Sequence, residues 1–284
     1  MGDLEYTVVR VFSNVGGEIR EVWRFINEGM VRGSEGVNTR SSLLSEEVFI
    51  SSEGKEIKIS KRRRPKLVLA FYYPWYGNPQ GTSRRWFHWK GVTYGDIATA
   101  THFPLLGPYD SWDEDVIRSH IAMARVMGID GFICSWWGMG TFEDSAFRRI
   151  LRVAREEGFK VTIYYESVRD INKEQIVEEL SYVLKEYSSD PAFLKIGEKP
   201  VIFIYAVKAK DRDLLFWSDV LNMVRKKTSI DTMYIGDTYD ISFLSIFEGL
   251  HTYNPIWVKD HMKVYKEMSQ NVKSYVPREA TSIG

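Results

Sequence analysis

The chain has 284 residues with 38 Lys and Arg against 38 Asp and Glu, a formal net charge of zero. That balance excludes a nucleic-acid binder working through a broad basic face, and it excludes an acidic solvating tail. At 44% hydrophobic the chain has the apolar content for a real core, and its single cysteine, Cys134, excludes an internal disulfide framework or a Cys-rich zinc site.

Residues 1–60 show β alternation. Tyr6–Phe12 and Ile19–Phe25 read as two strands turning at Asn14 and Gly16-Gly17. Glu47–Ile50 and Glu56–Ile59 read as a second hairpin around Glu53-Gly54. Asp3, Glu5, Arg10 and Glu18 leave no signal-peptide core at the start, and the longest apolar stretch, Leu67–Tyr73, is far short of a membrane span. The compartment is left open. Lys61-Arg62-Arg63-Arg64-Pro65 reads as a solvated linker over residues 61–66.

From residue 67 to 284 the pattern becomes strand, loop, helix, repeated. Leu67–Tyr73, Gly131–Trp136, Lys160–Tyr165, Pro200–Tyr205, Met233–Gly236 and Leu250–Tyr253 read as strands. Asp113–Met127, Glu143–Glu157, Lys173–Tyr187, Asp211–Lys227, the short Ser242–Phe247 and Val258–Tyr275 read as helices between and after them. Apolar strands alternating with amphipathic helices predict a parallel sheet covered by helices. A doubly wound dinucleotide fold would place Gly-x-Gly-x-x-Gly after the first strand, where this chain has Pro74-Trp75-Tyr76-Gly77. The expectation is therefore a (β/α)₈ barrel with about six βα units, apparently cut short, preceded by a small β segment.

Aromatic residues are 14% of the chain, with 9 Trp, 16 Tyr and 15 Phe, and many sit beside Gly, Pro, His and Asp rather than in apolar runs. In a barrel the chemistry lies at the C-terminal strand ends. Those ends carry Tyr73, Trp75 and Tyr76, then Trp136 and Trp137, then Tyr165 and Glu166, then Tyr205, then Asp237, then Tyr253 and Asn254. The opposite ends are plain. Glu166, ending the strand Lys160–Tyr165, is the candidate acid, and the 74–112 loop adds His88, Trp89 and His102. Of the adjacent Trp136 and Trp137, one is expected to face the helices and the other the mouth. The five histidines lack metal-ligand spacing and no Gly-x-Ser-x-Gly elbow occurs, so no metal or other cofactor is called for and a serine hydrolase is unsupported. Scarce Gln with abundant Lys, Arg and Glu is the bias of thermophile proteins.

Phe71-Tyr72-Tyr73-Pro74-Trp75-Tyr76-Gly77-Asn78-Pro79, His88-Trp89 and Pro104–Ser111 resemble glycoside hydrolase family 99, as do Gly128–Phe132, Ser135-Trp136-Trp137-Gly138 and Lys199–Tyr205. The likeness runs from about residue 67 to about 275 and leaves residues 1–60 uncovered. It implies retaining cleavage of internal α-mannosidic bonds, in an oligosaccharide or polysaccharide, without metal catalysis. By motif, Tyr73, Trp75, Tyr76, His88 and one of Trp136 and Trp137 would line sugar subsites, completed by Tyr205, Tyr253 and Asn254, with Glu166 as an active-site carboxylate. The family's Asn-Glu-x-x-x-Glu-like segment, which supplies its catalytic pair, is not found, and Gly284 follows the sixth helix. The expectation is a fragment, or a barrel completed by a partner, with a non-catalytic carbohydrate-binding protein as the alternative.

Overall fold

The computed structural model describes residues 47–50, 56–59, 67–90, 92–93, 96–97 and 104–253, with Lys263, Glu267 and Gln270 alone beyond them. The expected strands Tyr6–Phe12 and Ile19–Phe25, the linker, His102, Asn254 and nearly all of the helix expected over Val258–Tyr275 lie outside the described residues. The chain divides into two compact units, Met1–Lys66 and Leu67–Gly284.

In the first unit, β1 (Glu47–Ile50) pairs antiparallel with β2 (Glu56–Ile59), Glu47 opposite Ile59. The bounds are those of the hairpin expected around Glu53-Gly54.

The second unit opens with β3 (Leu69–Tyr72) and a long loop that contains the short hairpin β4 (Val92–Thr93) and β5 (Asp96–Ile97). Then follow α1 (Glu114–Val126), β6 (Gly131–Trp136), α2 (Phe142–Glu157), β7 (Lys160–Tyr165) and α3 (Lys173–Glu186). A small β8 (Lys195–Ile196) turns at Gly197-Glu198 into β9 (Lys199–Ile204), followed by α4 (Leu214–Thr228), β10 (Met233–Asp237) and β11 (Gly249–His251). The sheet order is β3-β6-β7-β9-β10-β11, every step parallel, with β8 antiparallel on β9. Each successive strand is laid beside its predecessor, as βα repetition dictates. The sheet curls: the rings of Phe71 on β3 and His251 on β11, the two ends of that order, stand 5.7 Å apart. The expected α/β barrel class, with six parallel strands, is the observed one.

Local sequence fixes the helix ends. Thr141 caps α2 by accepting from Asp144 N–H, and Gly158 closes it in the left-handed region at φ 63°. Asn172 and Gln175 form a reciprocal capping box on α3. Where Asp211–Lys227 was expected as one helix, Lys210 and Asp211 take positive φ, and Asp213 caps a helix that starts at Leu214. Two aspartates in that stretch compete for the cap, and the chain uses the second. The expected helix Ser242–Phe247 is a 3₁₀ turn over Ile241–Ser245, begun by Asp240 accepting from Ser242 N–H, and the expected strand Leu250–Tyr253 is Gly249–His251.

Alternation along the strands divides the sheet into two unlike faces. The helix-facing set includes Phe132, Cys134, Trp136, Val161, Ile163, Tyr165, Ile202 and Ile204, all buried against Ile117, Ile121, Phe147, Ile150, Leu180, Trp217 and Val220. Fully burying each large side chain contributes roughly 1.5–3 kcal/mol, so the hydrophobic core lies in the layer between sheet and helices. The other face carries aliphatic Ile133 and Val201 and, nearer the C-terminal strand ends, Phe71, Ser135, Tyr164, Phe203 and His251. Among the described residues no helix is long and apolar enough to cross a membrane.

Candidate active site

Three residues that follow their strands immediately, Tyr73, Glu166 and Tyr205, continue the inward parity of β3, β7 and β9. Tyr253, two residues past β11, does the same. They meet around Tyr164, whose ring lies 5.5 Å from Tyr205 and 5.8 Å from Tyr253. Tyr205 and Tyr253 are edge to face at 5.2 Å, and Tyr73 Oη donates to Tyr253 Oη at 2.6 Å.

Glu166 is 5% exposed. Its backbone N–H donates to Trp136 O at 3.1 Å, which extends the β6–β7 ladder one residue past the strand and fixes where the side chain leaves. Ser135 Oγ donates to Glu166 Oε1 at 2.6 Å and accepts from Trp137 Nε1 at 3.1 Å. Burial pushes the Glu166 carboxyl up to about 7, against the opposing pull of the Ser135 hydrogen bond and the Arg169 guanidinium; the charges of Glu143 and Asp237 push the same way as burial. A carboxyl held there is partly protonated near neutral pH and can give or take a proton.

Asp237, at the end of β10, accepts from Ala206 N–H at 3.1 Å and Tyr253 N–H at 3.0 Å. It therefore ties together the chain beyond β9, β10 and β11. Burial raises its carboxyl above the ordinary value, and the two backbone donors oppose that shift. Glu143, 5% exposed in the first turn of α2, is the third acidic group acting on this region.

The 74–112 loop builds one wall from stacked rings. Trp75 lies 4.7 Å from Tyr73 and stacks on His88 at 5.0 Å and 3°, while Tyr76 stacks on Trp89 at 3.9 Å. His88 takes φ 58°, and burial lowers its imidazole below the usual value. Asp110, 1% exposed, holds the loop by accepting from Asn78, Ser83 and Trp112 N–H groups at 3.2, 2.9 and 2.8 Å. Contacts of this kind pack the described part of a long loop on its own side chains.

The structure thus brings Tyr73, Trp75, His88, Trp137, Glu166, Tyr205 and Tyr253 to one side of the sheet, with Tyr76 behind the stacked wall against Trp89 and Tyr109. Trp136 is the corrected member: it is fully buried on the helix side, donates to Asp144 Oδ1 at 3.0 Å and packs beside Tyr165, so Trp137 is the tryptophan at the mouth. Four groups of this face carry no assigned role in the sequence reading, although Asp237 among them is noted there as a strand end. Ser135, Asp237, Tyr164 and His251 all share the inward parity of Glu166 or Tyr253, and that parity was the available signal. Tyr164 Oη and both His251 nitrogens are buried with no hydrogen-bond partner among the described residues. No cluster of three metal-ligating side chains occurs among the described residues.

The sequence model of glycosyl hydrolase family 99 matches residues 91–256. The chain is 29% identical to a glycoprotein endo-α-1,2-mannosidase of Xenopus laevis, over 48% of this chain and 36% of that protein. It is 27% identical to the glycoprotein endo-α-1,2-mannosidase of Rattus norvegicus, over 66% of this chain and 48% of that protein. The chain spans half or less of the length of these curated relatives. A solved GH99 endo-α-mannosidase from Bacteroides thetaiotaomicron, at 26% identity and a TM-score of 0.63, covers 72% of this chain and is itself covered to 65%. With the family's sequence model laid over more than half of its residues, from β6 through β11 and Glu166 included, the chain belongs to glycosyl hydrolase family 99.

Proposed function

We propose that this chain forms the sugar-binding mouth, with one of the working carboxyl groups, of a retaining hydrolase that cuts internal α-mannosidic bonds. The observation that carries the reading is Glu166: a buried carboxyl at a barrel strand end, poised by burial near neutrality and surrounded by aromatic rings. The rings supply flat apolar faces to pack on sugar C–H groups, and Glu166 supplies a proton or a hydrogen bond to a sugar oxygen. The endo-α-mannosidase activity named for the relatives supports the choice of mannoside.

Hydrolysis needs a second carboxyl group across the scissile bond. No late Asn-Glu-x-x-x-Glu-like segment is read in these 284 residues, so in our reading this stretch by itself binds α-mannosides but turns them over far more slowly than a protein that carries such a pair. Calorimetry with an α-mannobioside should give a micromolar-to-millimolar dissociation constant, weakened by Tyr76→Ala or Trp137→Ala. A folded sample with no heat of mannoside binding would overturn the proposal, and cleavage at the rate of a complete enzyme would overturn the missing-pair part of it. The division into an N-terminal β segment, linker and catalytic-type barrel belongs to the same proposal.

A further inference from the structure

Trp137, Ser135 and Glu166 form a chain of hydrogen bonds with only one possible direction. The indole Nε1–H can donate and cannot accept. It reaches Ser135 Oγ at 3.1 Å and so occupies an acceptor site of that hydroxyl. The serine has one proton, and its other close partner is Glu166 Oε1 at 2.6 Å. Ser135 is 1% exposed, which denies the hydroxyl bulk water as an alternative acceptor. Its proton therefore points at Oε1, and Oε1 must receive it.

We propose that Ser135 and Trp137 are positioning residues that decide where Glu166 carries its proton. With Oε1 engaged as an acceptor, the proton that Glu166 gains rests on Oε2, the oxygen without a protein hydrogen bond among the described residues, so that this oxygen is the one offered to a ligand. The step balances simply: protonation adds one proton to Oε2, the Ser135 hydrogen bond keeps its direction, and transfer to a sugar oxygen returns the carboxylate that Ser135 stabilises. The inference rests on the reading of Glu166 as a working group of the mouth.

Other groups face Glu166 as well. Arg169, three residues on, favours the charged form; Glu143 from α2 and Asp237 from β10 oppose it. Tyr73, Tyr164 and Tyr205 lie within electrostatic reach, all held neutral by burial first. None of these donates a hydrogen bond to Oε1, so removing the serine leaves Oε1 unserved.

The test follows the Glu166 carboxyl by carbon NMR in the ¹³C-glutamate-labelled full chain, with Glu166→Gln identifying the resonance. Ser135→Ala should move the Glu166 midpoint upward by about one to two pH units, because the charged form loses its donor. Ser135→Thr, which keeps a hydroxyl, should stay close to wild type. Trp137→Phe should give a smaller upward move, since the freed serine can then also accept from the protonated acid. An unmoved midpoint in Ser135→Ala overturns the relay. If that variant does not fold, Trp137→Phe decides, and a wild-type midpoint there overturns it equally. Mannoside binding by the wild-type chain is measured in parallel: its absence overturns the functional reading and leaves the titration result standing by itself.

Discussion

The phenol of Tyr73 donates to the phenol of Tyr253 across 2.6 Å, linking the chain just beyond β3 to the chain just beyond β11, 180 residues apart. These are the two ends of the described sheet order, and no ladder joins them among the described residues. The curl of the sheet is held at this rim by side chains, with Phe71 adding an edge-to-face contact to Tyr253 at 5.4 Å.

Removing that hydroxyl pair should therefore be felt in stability. Tyr73→Phe and Tyr253→Phe are each expected to cost about 1 kcal/mol, and the double variant less than the sum, since both delete one hydrogen bond. Urea unfolding of the four proteins measures it. Strict additivity would show that the two phenols are not coupled.

Glu166 makes stability depend on pH in a defined direction. Its carboxyl is raised from 4.5 to about 7 in the folded chain, so the folded state holds more protons than the unfolded state between those values. The contribution is fully present below about pH 4.5 and is lost as pH rises through about 7, amounting to roughly 3 kcal/mol over the window. Asp237, also raised, acts in the same direction beginning at lower pH. Glu166→Gln should remove the larger part of the decline between pH 4.5 and 7 in a series of denaturation curves. A wild-type curve that climbs across that window would contradict the assigned shift.

Asp144 is the structural counterpart on the helix side. Its buried carboxylate accepts from Trp136 Nε1 at 3.0 Å, Gly140 N–H at 3.0 Å, Tyr182 Oη at 3.1 Å and Tyr187 Oη at 2.5 Å. Asp144→Ala strands these donors and is expected to cost about 3–5 kcal/mol, seen as a large drop in thermal midpoint. Asp144→Asn keeps an acceptor oxygen and should cost less. Mannoside binding is expected to survive Asp144→Asn in the folded protein, since Asp144 and Trp136 lie on the helix side; its loss in a folded sample would contradict that placement.

The strands Gly131–Trp136 and Lys160–Tyr165 were legible to the residue because each is a short, mostly apolar run between helical patterns, with Asp130 or Gly158 just before it and Gly138 or Glu166 just after. The start of α4 was not, because Asp211 and Asp213 are equally good caps on paper and only the left-handed backbone at Lys210 and Asp211 chooses between them. Tyr73, Tyr205, Tyr253 and Glu166 were legible from strand ends, while Tyr164 and His251, inside their strands, were not. Ser135 was not, since a serine inside an apolar strand gives no sign of which hydroxyl partner it will find. The approach of Glu143 to Glu166 depends on the path of the Gly138-Met139-Gly140 turn, where Gly138 takes φ 123° and a Cβ would lie 2.6 Å from Arg169 Nη1. Such a close approach is a property of the assembled loops rather than of any local pattern.

The two faces of the sheet have a consequence for how such a chain can change. Neighbouring positions on one strand, Trp136 beside Ser135 or Tyr165 beside Tyr164, answer to different demands. One keeps the polypeptide folded through the helix layer, and the other meets whatever enters the hollow. Inner-face positions outside the Tyr73–Tyr253 link can vary at less cost to the fold than their outer neighbours, and a variant library confined to them should hold more folded proteins than one spread over both faces.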